Sequence, residues 1–300
     1  MTTRFDSAGA LGFFWAVFTA RPIVFIGLAI WTIVYTAGLG ALQYAPTAAY
    51  MDALNNLSNT DDPAVVFATV GSFYAASGPI WLLGIAGYIL LETAWLRLFV
   101  RGEGNPVFPF KLSKDEGMFT LTGLALVGIM IGAYIGWIVV AMIAATVIAL
   151  ALAPISATVA TAAVFIAMFA LALPFFWVMI RFSPALAMAV DRRAFVLGEA
   201  WSGTKGWFWS MLGSYLIAFL VMLVIGLVGL AVLFVMGYNL IGISAGVTFP
   251  PFEVMLAFYI VQAVIALIPQ AMFRGIAVRA AQQIGEAGSP PATPADGGGG

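Results

Sequence analysis

Long apolar stretches alternate with short polar segments along the whole chain. A helix needs about 20 apolar residues to cross the hydrocarbon core of a bilayer, and six stretches reach roughly that length. They cover residues 23–42, 79–100, 118–153, 159–180, 207–238 and 255–273. The pattern therefore predicts an all-α membrane protein, with six transmembrane helices arranged as three hairpins.

Eleven of the twelve Lys and Arg residues lie in every second segment between these stretches, Arg97 lies at the adjoining end of the second stretch, and the intervening loops contain none. Loops that stay in the cytoplasm retain Lys and Arg because moving these charges across a bilayer is costly. The predicted topology therefore places both termini in the cytoplasm. The basic residues, in chain order, are Arg4, Arg21, Arg97, Arg101, Lys111, Lys114, Arg181, Arg192, Arg193, Lys205, Arg274 and Arg279.

The composition agrees with a membrane protein, since 63% of the residues are hydrophobic and 8% are charged. The net charge of −1 argues against nucleic acid as a partner, because nucleic acid binding normally needs a basic surface. The chain contains no Cys and no His, so thiol or imidazole catalysis and thiolate metal sites are excluded. We expect no cofactor and no metal, a multi-pass location in a bacterial inner membrane, and membrane lipids as partners. Other membrane proteins are a further class of partner.

The polar segments beside the spans have apolar patterns of their own. Residues 11–19 are too short to span and predict an interfacial amphipathic helix, capped by Ser7, with Trp15 at headgroup depth. The segment 43–78 predicts an outer loop containing two short amphipathic helices, the second beginning at Asp62 and Pro63. These helices would form a lid over the span ends, either as simple packing or as a gate.

A weak repeat underlies the hairpins. The motif Leu11-Gly-x-x-Trp15 recurs as Leu197-Gly-x-x-Trp201, each time shortly before a span. The repeat predicts three units, 7–100, 107–183 and 194–276, within a single membrane domain, 1–284. The Gly-, Ser- and Pro-rich tail, 285–300, is predicted to be disordered.

Glu92 is the acidic residue that lies clearly inside a predicted span. Ionisable groups in a membrane face protein or water, because exposure to lipid is expensive. One interpretation is a structural ion pair with Arg97, Arg181 or Arg274, which lie near the inner boundary. The alternative is a proton or ion site. Further polar groups at membrane depth are too few and too scattered in the sequence to define a pathway; they are Tyr88, Tyr134, Tyr215 and Gln262.

Small residues and prolines mark two other features of the spans. Gly128, Gly132 and Gly136 form a flat strip on one face of the third span, which favours close packing inside the bundle over a dimer contact. Pro174 and Pro269 each remove a backbone hydrogen bond from a span. They predict helix kinks, with a broken-helix binding site as the alternative.

The connector 181–207 carries a basic corner. Arg192, Arg193 and Lys205 are candidate contacts for anionic lipid headgroups, with simple anchoring of the topology as the alternative.

The motifs of this connector resemble a bacterial inner-membrane family. They are Arg181-x-Ser-x-Ala-Leu-Ala, Asp191-Arg192, Gly-Glu-Ala-Trp201 and Thr-Lys205-Gly-x-x-Trp, together with the segments 97–103 and 110–116. Members of that family resemble the membrane domain of glycerophosphoryl diester phosphodiesterases, and many stand alone. The soluble phosphodiesterase domain has no counterpart in this sequence. The resemblance therefore implies the membrane architecture and carries over no hydrolase activity.

The sequence favours a non-enzymatic membrane protein that associates with lipid, or that organises or partners other membrane proteins. No Ser–Lys pair or paired carboxylates point to an intramembrane enzyme. The alternative is a transporter of lipid or small molecules, with Glu92 as its intramembrane ionisable site.

Overall fold

The computed structural model describes residues 4–57, 62–235 and 250–288, and all secondary structure in these ranges is helical. Six of the helices are long and apolar enough to cross a membrane, which confirms the predicted all-α, six-span class. The helices are α1 (Ser7–Ala20), α2 (Pro22–Leu57), α3 (Pro63–Arg101), α4 (Lys114–Leu152), α5 (Ala157–Phe182), α6 (Ala185–Arg192), α7 (Leu197–Gly203), α8 (Phe208–Val235) and α9 (Phe252–Gly288).

Local sequence signals set most of the helix ends. Asp62 caps α3 at its N-terminus with Pro63 as the first helical residue, as predicted, and Gly102 ends it with a left-handed φ of 66°. Ser113 and Glu116 form a reciprocal capping box at the start of α4. The predicted cap of α1 was one residue wrong, because Asp6 accepts the backbone hydrogen bond from Gly9 and Ser7 is already helical.

The predicted outer loop 43–78 was wrong. Helix α2 continues through Pro46 to Leu57, and α3 begins at Pro63 and continues through Pro79. The 39 residues of α3 extend about 58 Å, nearly twice the hydrocarbon thickness of a bilayer. The residues expected to form a lid therefore belong to the spanning helices, where the rings of Tyr50 and Phe73 pack 4.6 Å apart.

Helices α2 and α3, α4 and α5, and α8 and α9 pack against each other as the three predicted hairpins. Helix α1 precedes the first hairpin and α7 the third, which matches the predicted unit order, although a common origin of the units stays a prediction. Helix α9 remains helical to Gly288, so residues 285–288 of the predicted tail are helical, and the domain boundary at 284 stays a prediction. Residues 289–300 of the predicted tail lie outside the described residues.

The best-packed region lies at the end of the bundle where α2, α4 and α8 begin, which we call the basic end because the Lys and Arg residues lie there. Helix α6 is buried in it, with Ala185 and Ala187–Val190 at 1% exposure or less. Helix α9 packs on α1, α2, α6 and α8. In the second hairpin, most buried residues of α4 lie in its first nine positions, so the far half of α4 is largely open to lipid.

Candidate functional site

Glu92 of α3 and Arg274 of α9 form a partly buried, bidentate ion pair. Arg274 donates from Nε to Glu92 Oε1 at 2.8 Å and from Nη2 to Oε2 at 2.6 Å, and the two side chains are 11% and 13% exposed. The guanidinium also lies over the Trp95 ring, with 5.0 Å between Cζ and the ring centre. The pair therefore joins the first and third hairpins at membrane depth, as one of the predicted pairings required.

The other two predicted partners of Glu92 were wrong. Arg97 forms an ion pair with Glu116 and donates to the Pro109 carbonyl at 3.2 Å. Arg181 is buried between two indole rings, with Cζ 4.1 Å from the Trp201 ring centre, and it donates to the Trp201 carbonyl oxygen. No ion pair connects Arg181 to a carboxylate of the described residues, so aromatic faces and backbone oxygen stabilise its charge.

Asp115 is a charged centre that the sequence did not reveal. It is 2% exposed and contacts three guanidinium groups, those of Arg101, Arg193 (2.9 Å) and Arg97 (3.8 Å). These residues belong to α3, the start of α4 and the segment after α6. The only sequence signal was the capping box of α4, which fixes the first turn in which Asp115 lies.

Two of the three residues predicted to contact lipid headgroups form ion pairs with carboxylates of the protein. Arg192 pairs with Glu199, and Arg193 pairs with Asp115. Nearby carboxylates thus pair with both charges, and contact of these arginines with lipid headgroups stays a prediction. Lys205 is exposed and has no ion pair with a described carboxylate, so it alone of the three presents an unpaired charge.

The predicted glycine strip does not pack inside the bundle. Gly128, Gly132 and Gly136 are exposed, and no atom of the described residues lies within 4 Å of a Cβ built on any of them. The internal packing prediction was therefore wrong. Helices α5 and α9 stay helical through Pro174 and Pro269, so neither is a broken helix, and the kinks at these residues stay a prediction.

A cavity of about 550 Å³ opens beside the ion pair, and we call it the apolar cavity. Glu92 and Arg274 form its polar edge, and the rest of its wall is almost entirely apolar. Its rim lies on α5 and α8, where Phe176, Leu216 and Phe219 are 49%, 51% and 45% exposed. The cavity thus opens sideways between two membrane spans. Its other lining residues are Leu96, Met179, Ile180, Ser183, Leu186, Ala187, Leu212, Tyr215, Phe273 and Ala277.

Two further cavities lie between α2, α3 and α9, on the other side of the ion pair. The first, of about 310 Å³, is lined by Glu92, Arg274, Gln270 and Tyr88, among others. The second, of about 590 Å³, shares Thr36 and Tyr88 with the first and adds Gln43, Tyr259 and Gln262. We call them together the polar cavities after these side chains, although most of the wall of each is apolar.

The cavities include some of the scattered polar residues in their walls. Tyr88 and Gln262 line one cavity and Tyr215 lines the apolar cavity, while the prediction that these groups define no pathway stays a prediction. Tyr134 does stand apart, 52% exposed and stacked on Trp137.

The chain matches no protein-family model, no curated protein and no solved structure. The six long, apolar helices of the described residues show to which broad class of protein the chain belongs. The protein is a multi-pass integral membrane protein. The family resemblance of the connector stays a prediction.

Proposed function

We propose that this protein is a non-enzymatic, lipid-binding protein of the bacterial inner membrane, in which the apolar cavity holds the acyl chain of a membrane lipid. The single observation that carries the proposal is this cavity, which is apolar, opens between two spans and ends at a charged pair. A lipid-loaded bundle of this kind would serve as an organising or partner subunit for other membrane proteins.

The size and surface of the apolar cavity suit an acyl chain. Its volume of about 550 Å³ falls within the range of small-molecule sites. Because its rim residues on α5 and α8 are exposed at membrane depth, a chain can enter from the bilayer without crossing water. Glu92 and Arg274 at the edge of the cavity then offer hydrogen-bonding groups near the polar end of such a lipid.

Filling the cavity tests this function. Ala277 lines the cavity, and Ala277→Phe should occupy the space that an acyl chain needs. We expect the purified variant to retain less tightly bound lipid than the unmodified protein, measured by native mass spectrometry after delipidation. Ala257→Phe is the matched control, since Ala257 is exposed on the same helix and lines neither type of cavity. Equal lipid retention by both variants and the unmodified protein would reject the cavity as the lipid site.

Transport is a second candidate function, and the polar cavities favour it. They lie on the other side of Glu92 and Arg274 from the apolar cavity, so the ion pair separates two spaces within the bundle. Ionisable residues at such a position often couple proton movement to transport. In this account, breaking the pair would connect the two spaces.

Proton flux distinguishes the two functions. If the protein transports, proteoliposomes should dissipate an imposed pH gradient faster than empty liposomes, measured with a trapped pH-sensitive dye. Glu92→Gln should abolish that difference, whereas Glu103→Gln, in an exposed segment, should not. Identical decay with the unmodified protein and with Glu92→Gln would reject Glu92 as a coupling site.

A further inference from the structure

The segment between α3 and α4, residues 102–113, runs along the outer surface of α2. A Cβ on Gly104 would overlap Val24, and a Cβ on Gly27 would overlap the backbone of Pro106. Farther along, Trp31 Nε1 donates to the Val107 carbonyl at 2.9 Å. The contacts on α2 advance from Val24 to Trp31, a rise of about 10 Å along the helix axis. The tip of the segment therefore lies well inside the length of a membrane span.

The side chains at this tip are apolar and uncovered. Val107 is 78% exposed and Phe108 is 60% exposed. The adjoining surface of α2 is similar, with Ile26 and Ile30 at 50% and 55% exposure. Exposure of this apolar surface to water would be unfavourable, whereas contact with the acyl chains of a bilayer would not be.

Several backbone N–H and C=O groups at the tip form hydrogen bonds within the protein and so do not need water as a partner. Asn105 Oδ1 accepts from the backbone N–H groups of Val107 (2.9 Å) and Phe108 (3.2 Å). Pro106 and Pro109 have no N–H group, and the Pro109 carbonyl accepts from buried Arg97. Irregular backbone is tolerated at membrane depth only where its polar groups find partners within the protein. At the tip, the Val107 and Pro109 carbonyls and the Val107 and Phe108 N–H groups find such partners in side chains of the loop itself, of α2 and of α3.

The returning half of the segment has an interfacial composition. Lys111 and Lys114 are exposed on either side of Leu112, which is 91% exposed. Lysines at the boundary of a bilayer attract anionic headgroups, and an apolar side chain between them inserts below.

From this course we propose that residues 102–113 form a re-entrant membrane loop. Its tip, Val107 and Phe108, lies among the acyl chains beside α2, and Lys111 and Lys114 lie at the anionic headgroups. The loop is thus a second lipid-binding surface, separate from the apolar cavity. It does not depend on the proposed function.

Site-directed spin labelling tests the depth of the loop directly, because the chain contains no native Cys. Single variants Val107→Cys and Phe108→Cys are labelled with a nitroxide in nanodiscs that contain phosphatidylglycerol. We expect higher collision rates with oxygen, which concentrates in the bilayer, than with a water-soluble nickel chelate. Leu227→Cys on exposed α8 is the lipid control, and Lys205→Cys is the aqueous control. Labels at both tip positions that behave like the one at Lys205 would overturn the proposal.

A second variant tests whether α2 holds the loop at that depth. In Gly27→Leu, the new side chain would occupy the place of Pro106, so a label at Phe108 should shift towards the nickel-accessible, aqueous side. Gly38→Leu is the matched control, since Gly38 is exposed on the same helix and has no described atom within 4 Å of a Cβ. No shift in Gly27→Leu relative to Gly38→Leu would show that the loop is not seated on α2, contrary to the proposal.

Discussion

Three arginines near the basic end have little exposure to water, and carboxylates or aromatic rings stabilise their charges. Arg274 is paired with Glu92, Arg97 with Glu116, and Arg181 is covered by indole rings. The sequence could place these arginines near the membrane boundary and could propose an arginine partner for Glu92. It could not choose among three candidate partners, because the choice depends on which helices pack against α3.

Substitutions at Glu92 and Arg274 should have strongly non-additive effects on the free energy of unfolding. Removing one partner of a buried ion pair typically costs about 3–5 kcal/mol, because the other charge stays buried and uncompensated. We expect Glu92→Gln and Arg274→Gln each to lower the free energy of unfolding, and the double variant to lose less than the sum of the two. Thermal or denaturant unfolding in detergent micelles measures this double-mutant cycle. Additive losses would contradict a direct interaction.

At the scale of elements, the start of α4 holds the basic end together. Asp115 in its first turn contacts arginines of α3 and of the segment after α6. The sequence predicted this span to begin at residue 118, whereas α4 begins at Lys114, and it gave no sign of this role. Asp115 looks like an ordinary first-turn acidic residue, and its three partners are far apart in the chain.

Replacement of this aspartate should destabilise the basic end. Asp115→Asn keeps the shape of the side chain but leaves three nearby guanidinium groups without its charge. We expect a loss of stability of several kcal/mol, on the order of that for a broken buried pair. Glu103→Gln is the control, since the Glu103 side chain is half exposed and its ion pair with Arg101 should contribute at most about 1 kcal/mol. Equal melting temperatures for Asp115→Asn and the unmodified protein would contradict this role.

The helix ends beyond the membrane were the elements that the sequence predicted least well. The polar composition of 43–78 predicted a loop outside the bilayer, but polar residues do not by themselves end a helix. Pro46 and Pro79 lie inside these helices, and α2 and α3 continue through both. Helix–helix packing beyond the span, including the contact of Tyr50 with Phe73, was not visible in the sequence.

At the scale of the whole molecule, the number and order of the spans followed from the sequence, because apolar length and the distribution of Lys and Arg are local properties. The cavities could not be predicted from the sequence. The apolar cavity exists because α5 of the second hairpin and α8 of the third leave a gap above the buried basic end. That gap depends on how three hairpins close on each other, and no local pattern encodes it.

A density map of the protein in nanodiscs of native lipid composition would show directly whether the apolar cavity binds the acyl chain of a lipid. The account predicts elongated density in the apolar cavity, with one end at the gap between α5 and α8 and its length against Leu212 and Leu216. A cavity that is empty of such density, or closed by contact between Phe176 and Phe219, would contradict a lipid-binding function.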